Sequence, residues 1–465
     1  MSARSRYRAS RIVSGATRWA LARDPDRADA TLDPHHVGWI ASVWAVFKLG
    51  IVGLLTPLWA PAIMVRAAAN NRRAQRLTSE FPAQMRAIAA GRAPAAPSNS
   101  VLDIAAETRL VIFSDLHRSV AGRLDWPARQ RTKHLYELIL DCYADDEWSV
   151  CENGDIEDYW IVGGSTYGAM YDLLRMLGAV LARYGHTALI TETYKAHLDQ
   201  IIANNGGIYR RLRDEFVRHG RYFRTVGNHD NPNRRPMVGD RLREHLGSLP
   251  LADYFALRTP DGRLLGVICH GHHTDGWNAP ERDNLGKLSS WIANTLIDVP
   301  RLATPEGLPP AGAEEQMLAG KIPDRLIAVN PTFGANSQYD SLDEELLCSA
   351  VRSAGLDDLW LIMGHTHFPV SSPVSRTGER WDRYVNSGSG VTDGVITAIE
   401  WDGTATADGG DPSVRLVGWT MAGPETPPDA VVTTPSGRRL ARYVLEQDGD
   451  MLRPSTATPL RSAFA

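Results

Sequence analysis

The sequence predicts a layered α/β fold, and three observations carry that expectation. Short apolar runs alternate with stretches of helical periodicity, the pattern of strand–helix–strand units. Five of the runs end in clusters of Asp, Asn or His. Glycine recurs beside the polar residues, at Gly154, Gly227 and Gly364, where a sharp turn leaves room for a ligand. Ligands in α/β and layered sheet folds bind beyond the strand ends, so the five clusters can converge along one edge.

The 465 residues are 43% hydrophobic and 22% charged. That suits a packed chain of two or three domains, or one large domain with insertions, and excludes a disordered or collagen-like one. Four cysteines, Cys142, Cys151, Cys269 and Cys348, form no CxxC. Their spacing argues against a disulfide scaffold or a zinc knuckle and suits a reducing compartment such as the cytoplasm. The net charge of −4 hides an asymmetry. Residues 1–107 hold 14 Lys and Arg against 7 Asp and Glu, while the remainder holds 36 against 47. The net of −11 on that second part argues against a nucleic-acid partner.

Residues 1–86 form a basic region around an apolar segment, 37–65 (VGWIASVWAVFKLGIVGLLTPLWAPAIMV). The Arg-rich start does not read as a signal peptide, because the apolar stretch comes too late and no cleavage site follows. The segment reaches bilayer length. Lys48 nevertheless sits in its middle, and Pro57 and Pro61 would kink a helix. Two readings follow. One is an interfacial membrane anchor with Trp39, Trp44 and Trp59 at headgroup level and the arginines on anionic lipid. The other is a buried apolar helix pair packed on the main domain. Residues 87–107, rich in Ala, Pro and Ser, read as a linker.

From residue 109 the polar-ended runs follow in order. RLVIFS (109–114) ends at Asp115-Leu116-His117. A helix over 128–144, with Pro127 at its start and Leu135, Leu138, Ile139 and Cys142 on one face, leads to WSVCE (148–152) and Asn153-Gly154-Asp155. YFRTV (222–226) ends at Gly227-Asn228-His229-Asp230. LLGVIC (264–269) ends at His270-Gly271-His272, and LWLIM (359–363) at Gly364-His365-Thr366-His367. Carboxylate and amide oxygens and imidazole nitrogens are ligands for hard or borderline divalent metals such as Mn²⁺, Fe or Zn²⁺. Without thiolates, a structural zinc site is disfavoured. Where a strand continues extended, residues i and i+2 point the same way. Asp115 with His117, and His365 with His367, can then each reach one site.

These blocks, D-x-H, G-D, G-N-H-D, H and G-H-x-H, resemble the motif series of the calcineurin-like metallophosphoesterase superfamily, in order and over 115–367. The resemblance implies a two-sheet β-sandwich flanked by helices, with two divalent metal ions at the strand ends: Mn²⁺ first, with Fe or Zn²⁺ as alternatives. It implies that Asp115, His117, Asp155 and His367 hold the first metal. Asp155 would bridge to the second, held also by Asn228, His270 and His365. His229 would stand beside the substrate phosphate as general acid, and Asp158 of GDIED would orient it. Two such metals clamp a phosphate and acidify the attacking water. Arg118, directly after the D-L-H block, is a candidate substrate contact, with a structural arginine as the alternative. The HG after the fourth run and the compact DLH are similar to the UDP-2,3-diacylglucosamine pyrophosphohydrolase branch. The long N-terminal extension and the insertions depart from it.

A metallophosphoesterase-like domain is expected over 108–422, with two insertions. In the first, 163–206, helices over 165–185 and 190–205 would form a cap beside the metal site. A helix over 208–220 would lead into the third run. The second insertion, 276–350, reads as a lid or substrate-selecting wall. His272, His273 and Asp275 lie just past His270. A solvated loop is their ordinary reading, and His272 is kept as a candidate substrate contact. RYVNSGSG (383–390), VITAIEW (395–401) and VRLVGWTM (414–421) read as three antiparallel strands completing the second sheet. The Pro/Thr/Ser-rich tail, 423–465, reads as partly disordered.

The expected activity is metal-dependent hydrolysis of a phosphate ester or pyrophosphate bond. The substrate would be a phosphorylated small molecule or a lipid-linked phosphate, the latter favoured if 37–65 meets a membrane. The alternatives are a membrane-tethered scaffold that keeps the fold without catalysis, and a nuclease.

Overall fold

The computed structural model describes residues 79–92, 100–121, 125–160 except Gln130, 187–275, 342–373, 379–391, 394–448 except Glu425, and 451–455, with a few scattered positions besides. In chain order the strands are β1 Val101–Ala105, β2 Arg109–Phe113, β3 Ser149–Asn153, β4 Tyr222–Thr225, β5 Leu251–Ala252, β6 Tyr254–Arg258, β7 Leu264–Cys269 and β8 Trp360–Met363. They continue as β9 Pro369–Ser371, β10 Tyr384–Ser387, β11 Ile396–Asp402, β12 Ser413–Met421, β13 Val431–Thr433, β14 Arg439–Asp448 and β15 Met451–Ser455. One sheet runs β13-β14-β12-β11-β2-β3-β4-β5, with β15 also paired to β14; the other runs β1-β6-β7-β8-β10-β9. Strands β2 to β5 are parallel, and so are β7 and β8. The polar clusters therefore follow strands that leave each sheet in a common direction.

Period-two alternation builds three cores. In the nine-stranded sheet Leu110, Ile112, Cys151, Ile399, Trp401 and Leu416 are buried on one face. In the six-stranded sheet Phe255, Leu257, Ile268, Ile362 and Val385 join the same core. The two sheets thus bury one face against each other. The opposite face of the larger sheet carries Val111, Phe113, Val150, Ile396, Ala398 and Val417. It is covered by the helices α2 (Thr132–Asp145), α3 (Thr187–Asn204), α4 (Gly206–Arg211) and α5 (Pro236–Leu246). The opposite face of the smaller sheet, with Tyr254, Ala256, Val267 and Leu361, is covered by α1 (residues 79–89) and α6 (Leu342–Ser353). The fold is a mixed α/β architecture of four layers, helix, sheet, sheet and helix.

The structure redraws three expected boundaries. The linker over 87–107 is shorter, because α1 runs to residue 89 and β1 is already an edge strand, parallel to β6. Phe81, Met85 and Ile88 lie at helical spacing and are only 2%, 0% and 0% exposed. The Ala/Pro/Ser composition masked the one strand-forming stretch, VLDIA. Within the tail expected to be partly disordered, the described residues form β13, β14 and β15. Ala441, Tyr443 and Leu445 enter the inter-sheet core, and Arg442 Nε donates to Glu400 Oε1 at 2.8 Å. Third, Tyr384–Ser387 is not part of an antiparallel trio. It lies parallel to β8 in the smaller sheet, while β11 and β12 pair antiparallel in the larger one.

The first insertion also differs. Tyr194, Leu198 and Ile202 set α3 into the helical layer over the larger sheet rather than into a separate cap; residues 165–185 lie outside the described residues, as does most of 276–350. The helix expected over 208–220 is α4, continued by a π turn at Leu212–Phe216 and a 3₁₀ turn at Val217–His219. No helix among the described residues is long and apolar enough to cross a membrane. The segment 37–65 lies outside them apart from Pro61, Met64 and Val65.

Phe81→Ala is expected to lower stability by about 3–5 kcal/mol through the cavity it leaves. A fall in the urea midpoint at unchanged slope would show this, and an unchanged midpoint would detach α1 from the core.

Candidate metal centre

The loops after β2, β3, β4, β7 and β8 meet at one place, where the parallel ends of the two sheets adjoin. Backbone hydrogen bonds zip the first two loops together: Asp115 N donates to Gly154 O at 3.1 Å, and His117 N to Asp155 O at 2.9 Å. Gly364 N donates to His270 O at 3.1 Å across the smaller sheet. His365 N donates to Asp115 Oδ2 at 2.9 Å, tying one sheet to the other. The Asn386 amide donates to Gly364 O at 2.8 Å and so holds the G-H-T-H turn from beneath.

Neither D-x-H nor H-x-H continues its strand in the extended form that the sequence suggested. Asp115, His117, Asp155, His365 and His367 have φ of 53°, 44°, 55°, 73° and 63°. Left-handed backbone is uncommon outside glycine, and Asp, Asn and His tolerate it best. Such strain collects at functional sites. Gly154 shows why its neighbour is glycine: its φ is 77°, and a Cβ there would stand 2.5 Å from the His270 ring.

The donor atoms form three overlapping groups: Asp115, His117 and His367; His117, Asp155 and His229; and Asp155, His270 and His365. Within each group they lie within 4.8 Å of one another. His367 Nε2 stands 3.2 Å from Asp115 Oδ1 and 3.0 Å from His117 Nε2. His270 Nε2 stands 3.3 Å from Asp155 Oδ2. Several of these atoms are buried without hydrogen-bond partners: Asp115 Oδ1, Asn228 Oδ1, His270 Nε2 and His365 Nδ1. Burying so many unsatisfied polar atoms is costly, and together they form a donor set that could hold a metal ion. Oxygen and imidazole donors fit Mn²⁺, Fe or Zn²⁺.

The electrostatics agree. Burial alone would raise the Asp155 carboxyl, yet His270 and His229 hold it well below the usual carboxylate range. Burial opposes protonation of His270, but Asp155 and Asp115 push its pKa up to about 9. The two carboxylates create a field that draws positive charge into the site.

Asp158 has a wider reach than the motif suggested. Its Oδ2 lies 2.9 Å from His117 Nδ1, and its Oδ1 lies 3.0 Å from His229 Nδ1. One carboxylate therefore orients both a candidate ligand and the candidate acid. Burial disfavours a charged His229, but Asp158 and Asp155 raise its pKa. Trp160, which carried no signal in the sequence, stacks on the His229 ring at 4.0 Å. Its only legible hint was its position two residues past Asp158.

Two candidates are displaced. Arg118 is 1% exposed and pairs with Glu152, its guanidinium 5.2 Å from the Tyr136 and Tyr209 rings. Its turn points it into the helix–sheet interface, so it offers nothing to a substrate. His272 is 0% exposed. Gly271, at φ 108°, folds the chain inward there, and the His272 ring packs 5.3 Å from His270 and 4.4 Å from His273. The expected solvated loop is a 3₁₀ turn, His272–Thr274, in which His272 and His273 are buried.

Gly154→Ala is expected to destabilise the chain by more than about 1 kcal/mol, since alanine at positive φ adds strain to the clash with His270. Thermal melting with and without Mn²⁺ checks this. Equal midpoints for the variant and the parent would refute the close approach. No family model matches the chain, and no curated protein matches it.

Proposed function

We propose that this chain is a dinuclear metal-dependent phosphoesterase of the calcineurin-like type, hydrolysing a phosphate ester or pyrophosphate bond. One observation carries the reading: three groups of Asp and His are linked in series through His117 and Asp155, and His229, 3.0 Å from Asp158, belongs to the middle group. Asp115, His117, Asp155 and His367 would hold one divalent cation; Asp155, Asn228, His270 and His365 would hold the other. The four-layer arrangement supports the two-sheet sandwich expected of such enzymes. Bound, the two cations would supply positive charge to a phosphoryl group and an acidified water as nucleophile.

The chain's own residues do the rest. The Asp158 carboxylate, 3.0 Å from His229 Nδ1, favours a proton on that nitrogen, and Nε2 would then carry the transferable proton. Trp160 holds the ring from its face. His229 is 14% exposed, enough to meet a leaving-group oxygen and protonate it as the ester bond breaks. The Asp155 carboxylate accepts from the His229 backbone N–H at 2.8 Å, so the acid and the cation site keep a fixed spacing.

The four cysteines are free and buried, which supports a cytoplasmic setting. The apolar, Arg-flanked segment 37–65 supports a membrane surface as partner and a lipid-linked phosphate among the substrates.

A hydrolysis screen with added Mn²⁺ over phosphomonoesters, phosphodiesters and pyrophosphates tests the reading. Turnover on at least one class, lost with EDTA, is expected; metal-loaded protein inactive on all of them would sink it. His229→Ala should lower kcat by roughly 10²–10⁴-fold, the usual share of a general acid, while metal content by elemental analysis stays that of the parent. Turnover that survives the substitution would remove His229 from the chemistry.

A further inference from the structure

Three candidate ligand histidines, His117, His270 and His365, share one design. In each, one ring nitrogen is tied to an oxygen acceptor, so the other keeps its lone pair for a cation. His117 Nδ1 faces Asp158 at 2.9 Å. His270 Nδ1 donates to the Asn153 carbonyl at 2.8 Å. For His365 the tied atom is Nε2, which stands 3.0 Å from Asp275 Oδ2. Its Nδ1 is buried and has no hydrogen-bond partner. A carboxylate only accepts, so the His365 proton must sit on Nε2, and Nδ1 is left as the ligand atom.

Asp275 is built for this position. It follows the 3₁₀ turn His272–Thr274, and its N–H donates to His272 O at 3.2 Å. The Asn278 amide donates to the same Oδ2 at 2.5 Å. The Asp275 side chain is 18% exposed, and His365 is 16% exposed. The turn that starts at one candidate ligand, His270, thus delivers the carboxylate that orients another, His365, on the neighbouring strand.

Resting on the dinuclear reading above, we infer that Asp275 is a positioning residue for the second metal. It selects the Nδ1-ligating tautomer of His365 and thereby sets the affinity of the second site while leaving the first site alone.

The test titrates full-length protein with Mn²⁺ and follows low-temperature electron paramagnetic resonance. Two neighbouring Mn²⁺ ions give a spin-coupled spectrum, and a lone ion does not. In Asp275→Ala the coupled spectrum is expected to need roughly 10–100-fold more Mn²⁺ than in the parent, the usual cost of losing such a partner. The lone-ion spectrum of the first site should appear at unchanged Mn²⁺. Asp275→Asn keeps an oxygen that can accept from Nε2–H, so it should recover most of the difference. Where the alanine variant folds poorly, Asp275→Ser, too short to reach His365, takes its place. Coupling at parental Mn²⁺ in Asp275→Ala overturns the inference. Equal weakening of both ions also overturns it, since that marks damage to the turn. A parent chain that takes up no Mn²⁺ overturns the metal centre and this inference together. A coupled pair without any phosphoester hydrolysis overturns the proposed reaction alone, and the Asp275 comparison still decides the inference.

Discussion

Asp155 joins everything that meets at the strand ends. Its carboxylate is buried, it belongs to two of the three donor groups, and it accepts from the His229 backbone while facing His270. A buried carboxylate is tolerable only where positive charge or strong donors surround it. The rest of the site reads as the consequence of that requirement. Histidines converge from both sheets, glycines clear the space, and Asp115 adds a second buried negative charge beside His367 and His270.

Beneath the loops lies a second buried polar system. Arg118, Glu152, Arg224 and Glu157 alternate in sign at 0–1% exposure, and Tyr136, Tyr209 and Tyr222 donate to the two carboxylates. Buried ion pairs add little net stability over an apolar core, but losing one partner is expensive. Glu157 sits between Asp155 and Asp158, and Arg224 Nη2 donates to it at 2.6 Å. The network therefore pins the segment that carries both key carboxylates.

Much of this was legible in the sequence, and the reason is physical. Strands betray themselves by apolar runs, and the residues after them by chemistry that no structural role explains. The five polar-ended runs became strands, and Asp115, His117, Asp155, His229, His270, His365 and His367 came together. What stayed hidden depends on long-range partners. Arg118 looked available because a sequence does not show Glu152 beneath it. Asp275 looked solvated because its partner, His365, is ninety residues away. The strand β1 was masked by its Ala/Pro-rich surroundings, and the tail by its Pro/Thr content. In both, a short alternating stretch outweighed the average composition.

The left-handed backbone at the candidate ligands changes how mutagenesis of this centre should be interpreted. Alanine is a poor occupant of positive φ. Replacing Asp115, His117, Asp155, His365 or His367 by alanine therefore removes a donor and also imposes a local conformational penalty. The two effects enter the measured loss as one number. Asparagine tolerates the same backbone, and glycine relaxes it, so comparing these two replacements at one position separates coordination from geometry. An alanine scan of this protein would rank the candidate ligands partly by their dihedral angles.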